Sequence, residues 1–214
     1  MCAEDKAVKQ GLDRRRYERL APFYDLLELP MELLAFSRWR RLLFHNIGGG
    51  RVLEVGIGTG KNIPHYPENV SFVGIDISRR MLLRARKRAM GSGRSVELVL
   101  ADVEALPFRD QSFDAAVASY VFCSVENPLR GLREVRRVLR RGGRARFLEH
   151  MRCENRIGGA LLDLLSPLVR LIGPEINRRT AENIRRAGFR ILEERWLFTS
   201  LFRLVTAERN NFPD

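Results

Sequence analysis

Three glycines stand at alternate positions in the stretch VLEVGIGTGKN, at Gly56, Gly58 and Gly60, directly after the apolar run 52–55. Glycine tolerates positive φ and carries no side chain, so a turn built from it lets a ligand lie against the backbone. An acid, Asp76, closes the next apolar run, and at the tip of a second strand it can take both hydroxyls of a ribose. A second acid, Asp102, closes a third run, where polar residues sit in the ligand crevice of an open α/β sheet. The chemistry implied is the holding of a nucleoside-sized molecule. Lys61 stands where the dinucleotide fingerprint G-x-G-x-x-G needs its last glycine, and no Gly-Lys-Ser/Thr of a P-loop follows. Further on, Glu149 and His150 close a fifth run. His150 suits a general base near neutral pH, with Glu149 orienting it or binding a cationic acceptor; a structural histidine is the plain alternative. Cys123 shows no sign of a lowered pKa and suits a small buried core residue.

The elements that must position these residues follow from periodicity and turn signals. Residues 1–12 form a tail, Asp13 caps a short helix that breaks near Pro22, and a second helix runs over 31–44. That second helix sets Leu33, Leu34, Trp39, Leu42 and Leu43 beside Arg38, Arg40 and Arg41. Such a basic amphipathic segment can lie on a membrane surface or cover the core with its apolar face. Strands are expected at 52–55, 72–77, 96–101, 113–119, 144–148, 189–198 and 201–208. Between them, a core helix begins at 62–66, Ser78 caps a helix running to Met90, a helix at 128–140 is stopped by Gly142-Gly143, and a last one spans 180–187. The insertion at 153–180 carries an apolar run, 160–172, broken by Pro167. It suits a lid over a greasy acceptor, a membrane-facing helix, or extra core packing.

The chain has 214 residues, enough for one α/β domain with additions, and its 45% apolar and 30% charged residues are globular values. Cys2, Cys123 and Cys153 make no C-x-x-C pair, which favours a reducing compartment. The polar start, MCAEDKAVKQ, is unlike a secretory signal, and no apolar stretch reaches the roughly 20 residues of a membrane span. A cytoplasmic protein is expected, either free or peripheral on the membrane. The net charge of +12 fits either solvated helix faces or attraction to an anionic surface, membrane or nucleic acid.

The segment from Glu54 to Gly60 resembles the first motif of the class I S-adenosylmethionine-dependent methyltransferases, E/D-x-G-x-G-x-G. The resemblance continues through ADVEALPF, where the family's acid meets the adenine amino group, and through Phe113-Asp114 of the F-D-x-V pattern. It also covers LREVRRVLRRGG, although Arg141 stands where proline is usual. The arm RRRYERLAPFYDLL resembles the Y-D-x-x-A-x-x-Y-D arm of quinone-biosynthesis C-methyltransferases and soluble bacterial phosphatidylethanolamine N-methyltransferases. Tyr17, Ala21, Tyr24 and Asp25 match, and Glu18 replaces the first aspartate. LEH, NRRT and AGF resemble the animal membrane-associated thiol methyltransferases.

The resemblance implies an α/β, Rossmann-like, doubly wound seven-stranded sheet, mostly parallel with an antiparallel last strand. A tail and helical arm at 1–46 would pack on a methyltransferase domain at 47–214, as a single domain overall. It implies S-adenosylmethionine as cofactor, without a metal, held by Glu54, Gly56, Gly58, Gly60, Asn62, Asp76, Ile77, Met81, Asp102, Val103 and Ser119. Tyr17, Tyr24, Glu149 and His150 are the candidates for assisting transfer. The expected acceptor is a small molecule or lipid, first the amine of phosphatidylethanolamine, then a quinone precursor, then small thiols. A nucleic-acid acceptor is disfavoured because no N/D-P-P-Y/F tetrad follows the fourth strand.

Overall fold

The computed structural model describes residues 32–151, 178–198 and 201–210. Tyr17, Tyr24 and all but the last residues of the insertion lie outside them. The core is a seven-stranded sheet of order β3-β2-β1-β4-β5-β7-β6. Its strands are β1 (Gly50–Val55), β2 (Val70–Asp76), β3 (Glu97–Leu100), β4 (Phe113–Ser119), β5 (Leu139–His150), β6 (Phe189–Phe198) and β7 (Phe202–Arg209). The first five pair in parallel, while β7 runs antiparallel to both β5 and β6. The expected sheet class and the antiparallel last strand are therefore both observed.

β1 lies at the centre, and Val52, Leu53, Glu54 and Val55 are all buried, as a strand covered on both faces requires. One face carries Leu53, Val73 and Phe147 against α3 (Pro128–Val138) and α4 (Thr180–Arg186). The other carries Val52, Phe72 and Leu148 against α1 (Ser37–Phe44) and α2 (Arg79–Ser92). The chain leaves β1 and β4 in opposite directions along the sheet, so a crevice opens between their carboxyl ends.

Local chemistry sets the element ends. Ser78 caps α2 by accepting from the Met81 N–H at 3.3 Å, as expected, and Gly93 closes it at φ 65°. The helix expected to begin at 62–66 is only a 3₁₀ turn, Ile63–His65. Tyr66 precedes Pro67 and is extended, with ψ 133°, because the proline ring disfavours α geometry in the residue before it. α3 ends at Val138 rather than Arg140, since Leu139 already pairs with Phe113 of β4. The Arg209 guanidinium donates to the Arg137 carbonyl at 3.1 Å and to that of Leu139, satisfying groups the helix end leaves open. Gly142 and Gly143 instead lie within β5, where the β4–β5 register shifts between Phe113 and Ala115. The helix expected at 31–44 begins with a π-helical turn, Glu32–Phe36, before α1. Among the described residues no helix is long and apolar enough to cross a membrane.

Candidate active site

The turn after β1 is held by the Ile57 N–H donating to the Ile75 carbonyl at 2.9 Å and the Gly60 N–H to that of Ile57 at 3.0 Å. Gly56 has φ 63°, and a Cβ there would come within 2.5 Å of Val121 Cγ2. The position thus requires both the left-handed backbone and the missing side chain. Asp76 braces the turn from β2: its Oδ2 accepts from the Gly58 N–H and its Oδ1 from the Ser78 N–H, each at 2.9 Å. Asp102 likewise shapes its own loop by accepting from the Glu104 N–H at 2.8 Å.

A cavity opens over these carboxyl ends. Of the residues singled out by sequence, Gly56, Gly58, Asp76, Ile77, Met81, Asp102, Val103 and Ser119 line it together. Val55, Ile75 and Ala101 of the strand ends line it too, with Glu104 of the ADVEALPF segment, Tyr120, Val121, Ser124 and Val125 of the stretch after β4, and Glu126. Glu126 contributes a buried carboxylate oxygen, Oε1, that has no hydrogen-bond partner. Carboxylates on three separate loops, one with an unmet acceptor, suit a nucleoside that offers ribose hydroxyls and a base amino group. The residues therefore fit S-adenosylmethionine. Among the described residues no group of three or more His, Cys, Asp and Glu side chains is placed to hold a metal ion.

Glu54, Gly60 and Asn62 lie beneath the cavity, not in its wall. Glu54 is fully buried, accepts from Asn62 Nδ2 at 2.6 Å, and also accepts from the Tyr66 hydroxyl. Asn62 donates to Ser119 Oγ at 2.9 Å and accepts from Arg40 Nη1, also at 2.9 Å. Arg40, expected on a basic surface, is instead 4% exposed and paired with Glu32 at 3.2 Å. This network ties α1 to the turn and to the end of β4. Tyr120, next along, adopts φ 59°, a strained value for a non-glycine residue. Its N–H donates to Leu148 O at 2.8 Å, and its ring stacks on Phe36 with centroids 4.7 Å apart.

Burial lifts the Glu54 carboxyl from 4.5 to about 7, against the lowering effect of Tyr66, Asn62 and Arg40. A carboxyl raised in the folded state binds an extra proton there. Its contribution to stability is therefore full below about 4.5 and lost as pH rises to about 7. Glu54→Gln removes that loss, so its unfolding free energy should fall less than that of the wild type between pH 5 and 8, by up to about 3 kcal/mol at about 1.4 per unit, seen as a smaller drop in Tm. Buried His150, lowered to about 4, works in the opposite sense, losing stability as pH falls below 6.5. It is common to both proteins, so the difference between their thermal melts isolates Glu54. Parallel melting curves across that range would show that Glu54 does not titrate.

Glu149 and Arg178 grip the loop 120–126. Glu149, fully buried and pushed up to about 7 by burial, accepts from the Val121 and Phe122 N–H groups at 3.0 and 3.1 Å. Arg178 donates to the carbonyl of Phe122 at 3.1 Å and to that of Val125. Glu149 therefore positions the cavity wall from behind. His150 sits outside the cavity lining, edge-on to Phe202 at 5.2 Å, with Nδ1 buried and without a partner. Cys123 is buried and its thiol is pushed up to about 12, chiefly by burial. Arg178→Ala should weaken S-adenosylhomocysteine binding roughly tenfold, the range of one lost charge-assisted hydrogen bond. Arg178→Lys should recover part of it. Calorimetry that finds both variants equal to the wild type would detach Arg178 from the site.

Comparison with known proteins agrees with this geometry. Residues 53–147 match the family model for a methyltransferase domain. The chain is 43% identical over 139 residues to a phosphatidylethanolamine N-methyltransferase of Cereibacter sphaeroides, covering 64% of this chain and 66% of that protein. It is 39% identical over 145 residues to the ubiquinone/menaquinone biosynthesis C-methyltransferase UbiE of Geobacter sp. (strain M21), covering 64% and 62%. The chain thus spans somewhat less than two thirds of the length of these relatives. A SAM-dependent methyltransferase structure from Thermotoga maritima superposes with a TM-score of 0.67 at 23% identity, covering 92% of this chain and 99% of that one. These matches and the sheet topology support a class I S-adenosylmethionine-dependent methyltransferase. Its curated relatives divide between lipid and quinone methylation.

Proposed function

We propose that this chain transfers the methyl group of S-adenosylmethionine to a small amphipathic or lipid acceptor, with an amine head group of the phosphatidylethanolamine type favoured. The observation that carries this reading is the cavity at the carboxyl ends of β1 to β4, where the glycine turn, Asp76 and Asp102 converge. In the reading, Gly56 and Gly58 admit the cofactor's amino-acid end, Asp76 takes the ribose hydroxyls and Asp102 the adenine amino group. When bound, S-adenosylmethionine supplies a methyl made electrophilic by a sulfonium sulfur. An acceptor held in line with that methyl would take it through its lone pair, the electrons of the broken carbon–sulfur bond staying with sulfur. The chain's contribution is alignment and exclusion of water, for which the apolar wall of Met81, Val103, Val121 and Val125 is suited.

The acceptor side would be bounded by Tyr120, whose ring meets Phe36 at 4.7 Å and Phe202 at 6.2 Å. An amine acceptor must shed a proton. His150 is held neutral by burial, so it could receive one only if substrate opened a path to it. Tyr17 and Tyr24 are proposed partners in that step from the resemblance alone. The chain is proposed to work in the cytoplasm, meeting its acceptor at an anionic membrane surface, without a metal. The test presents purified protein and labelled cofactor with phosphatidylethanolamine vesicles, a demethylated quinone and a small thiol in parallel. Label in the phospholipid supports the reading. Label in the quinone alone gives the case to C-methylation, which the match to the Geobacter relative favours.

A further inference from the structure

The outer edge of the sheet carries exposed aromatic groups that packing does not explain. Trp196 is 55% exposed and Phe198 is 58% exposed, both at the end of edge strand β6. Edge strands are usually blunted with charge, and large exposed apolar side chains at one point mark a contact surface. The register places this point. His150, at the carboxyl end of β5, pairs with Phe202, so the β6–β7 hairpin tip stands on the same edge of the sheet as the cavity.

The two rings leave opposite faces of the hairpin. Trp196 pairs with Arg203 and Phe198 with Phe202, with a register shift between the pairs. Directly opposed residues share a face, and Phe202 and Arg203, being adjacent, lie on opposite ones. The Arg203 guanidinium lies over the Trp196 ring at 5.4 Å, consistent with that assignment. A rigid protein partner would bury one face; a strand end with a large exposed ring on each face suits edge-on entry into lipid. Basic groups surround it. Arg195 adjoins Trp196, Arg38 adjoins Trp39, whose ring meets Phe202 at 5.0 Å, and all are on this edge. Arg38 and Arg195 are exposed, as is Arg179, which reaches Glu182 only at 3.8 Å. Glu194 is engaged by Arg203 and Arg185. Tryptophan favours the bilayer interface, and arginine nearby is attracted to anionic lipid.

We infer that the exposed end of β6 is a membrane-docking wedge, which inserts Trp196 and Phe198 into an anionic bilayer and turns the cavity mouth toward it. The inference rests on the lipid-acceptor reading and assigns the membrane contact to this strand end. Phe202 links the strand end to the cavity, since its ring also meets that of Tyr120.

The chain contains two tryptophans, and Trp39 is 8% exposed, so Trp196 reports on its own surroundings. The full chain is titrated with vesicles of phosphatidylglycerol and phosphatidylcholine, and separately with phosphatidylcholine alone. The anionic vesicles should shift tryptophan emission to the blue, and bromine-labelled acyl chains should quench it; Trp196→Phe should abolish both effects. Trp196→Ser/Phe198→Ser should lower partition into these vesicles about tenfold and leave S-adenosylhomocysteine affinity unchanged by calorimetry. Sedimentation with vesicles while Trp196 stays unshifted would overturn the inference, as would an equal shift on neutral vesicles or a shift traced to self-association. If Trp196 inserts but no phospholipid accepts methyl, the docking surface stands and the acceptor reading falls. If detergent-dispersed phospholipid is methylated and Trp196 stays silent, the reverse holds.

Discussion

Asp76→Ala should bind S-adenosylhomocysteine roughly 10- to 150-fold more weakly than the wild type, the range for losing hydrogen bonds to a charged group. The carboxylate has two tasks in this account. It accepts from the Gly58 and Ser78 N–H groups at 2.9 Å each, which fixes the glycine turn against the start of α2. Asp76 also lines the cavity, where a carboxylate suits the ribose hydroxyls. Asp76→Asn should be nearly as weak, because in either amide orientation one of the two backbone N–H groups meets an NH₂ donor. Asp102→Ala gives the comparison: it removes the bond from the Glu104 N–H, a brace within its own loop and not of the glycine turn, and should cost less. Calorimetry on all three variants checks this order. An affinity within twofold of the wild type for Asp76→Ala would remove Asp76 from the binding site.

Gly60→Val should act on folding instead. Gly60 has φ 80°, and a Cβ there would meet Ile63 Cδ1 at 2.6 Å and the backbone Cα of Ala85 in α2 at 3.0 Å. The isoleucine tip can swing away, but the helix backbone cannot. Left-handed strain in a β-branched residue and overpacking together cost roughly 2–5 kcal/mol. For a chain of this size that lowers Tm on the order of 10 °C. Gly58→Ala separates strain from crowding. Gly58 also has left-handed backbone, at φ 57°, but its added Cβ meets only the Gly56 carbonyl oxygen at 4.0 Å, so it carries the strain alone, about 1–2 kcal/mol, and its loss in Tm should be the smaller one. Gly58 lines the cavity, however, and that variant should show its defect in cofactor affinity. Equal melting temperatures for Gly60→Val and the wild type would mean that the turn does not pack on α2 as described.

The sequence signals that survived translation into structure were short-range ones. Apolar runs ending in Gly56, Asp76 and Asp102 marked strand ends, and a strand end in a parallel sheet has only one edge to face. Signals that depend on what lies across the fold were harder to see. Arg40 belongs to a basic amphipathic stretch in sequence, and only the folded chain brings Asn62 and Glu32 to its guanidinium. Glu54 sits within the glycine motif, yet strand alternation carries its side chain away from the cavity, toward Asn62 and Tyr66. Tyr120 gives no local sign of its positive φ, which is imposed by its stacking on Phe36 and its bond to β5. The 3₁₀ turn at Ile63–His65 was legible in principle, since Pro64 sits at its start and Pro67 follows two residues after its end, confining so short a segment.

The most direct test supplies methyl-labelled S-adenosylmethionine to the protein in unfractionated cell extract, then partitions the products between organic solvent and water. The account predicts label in the organic phase that migrates with amine phospholipids, and none when Asp76→Ala replaces the wild type. Label confined to quinones, small thiols or RNA would contradict the acceptor, and label undiminished by Asp76→Ala would contradict the site.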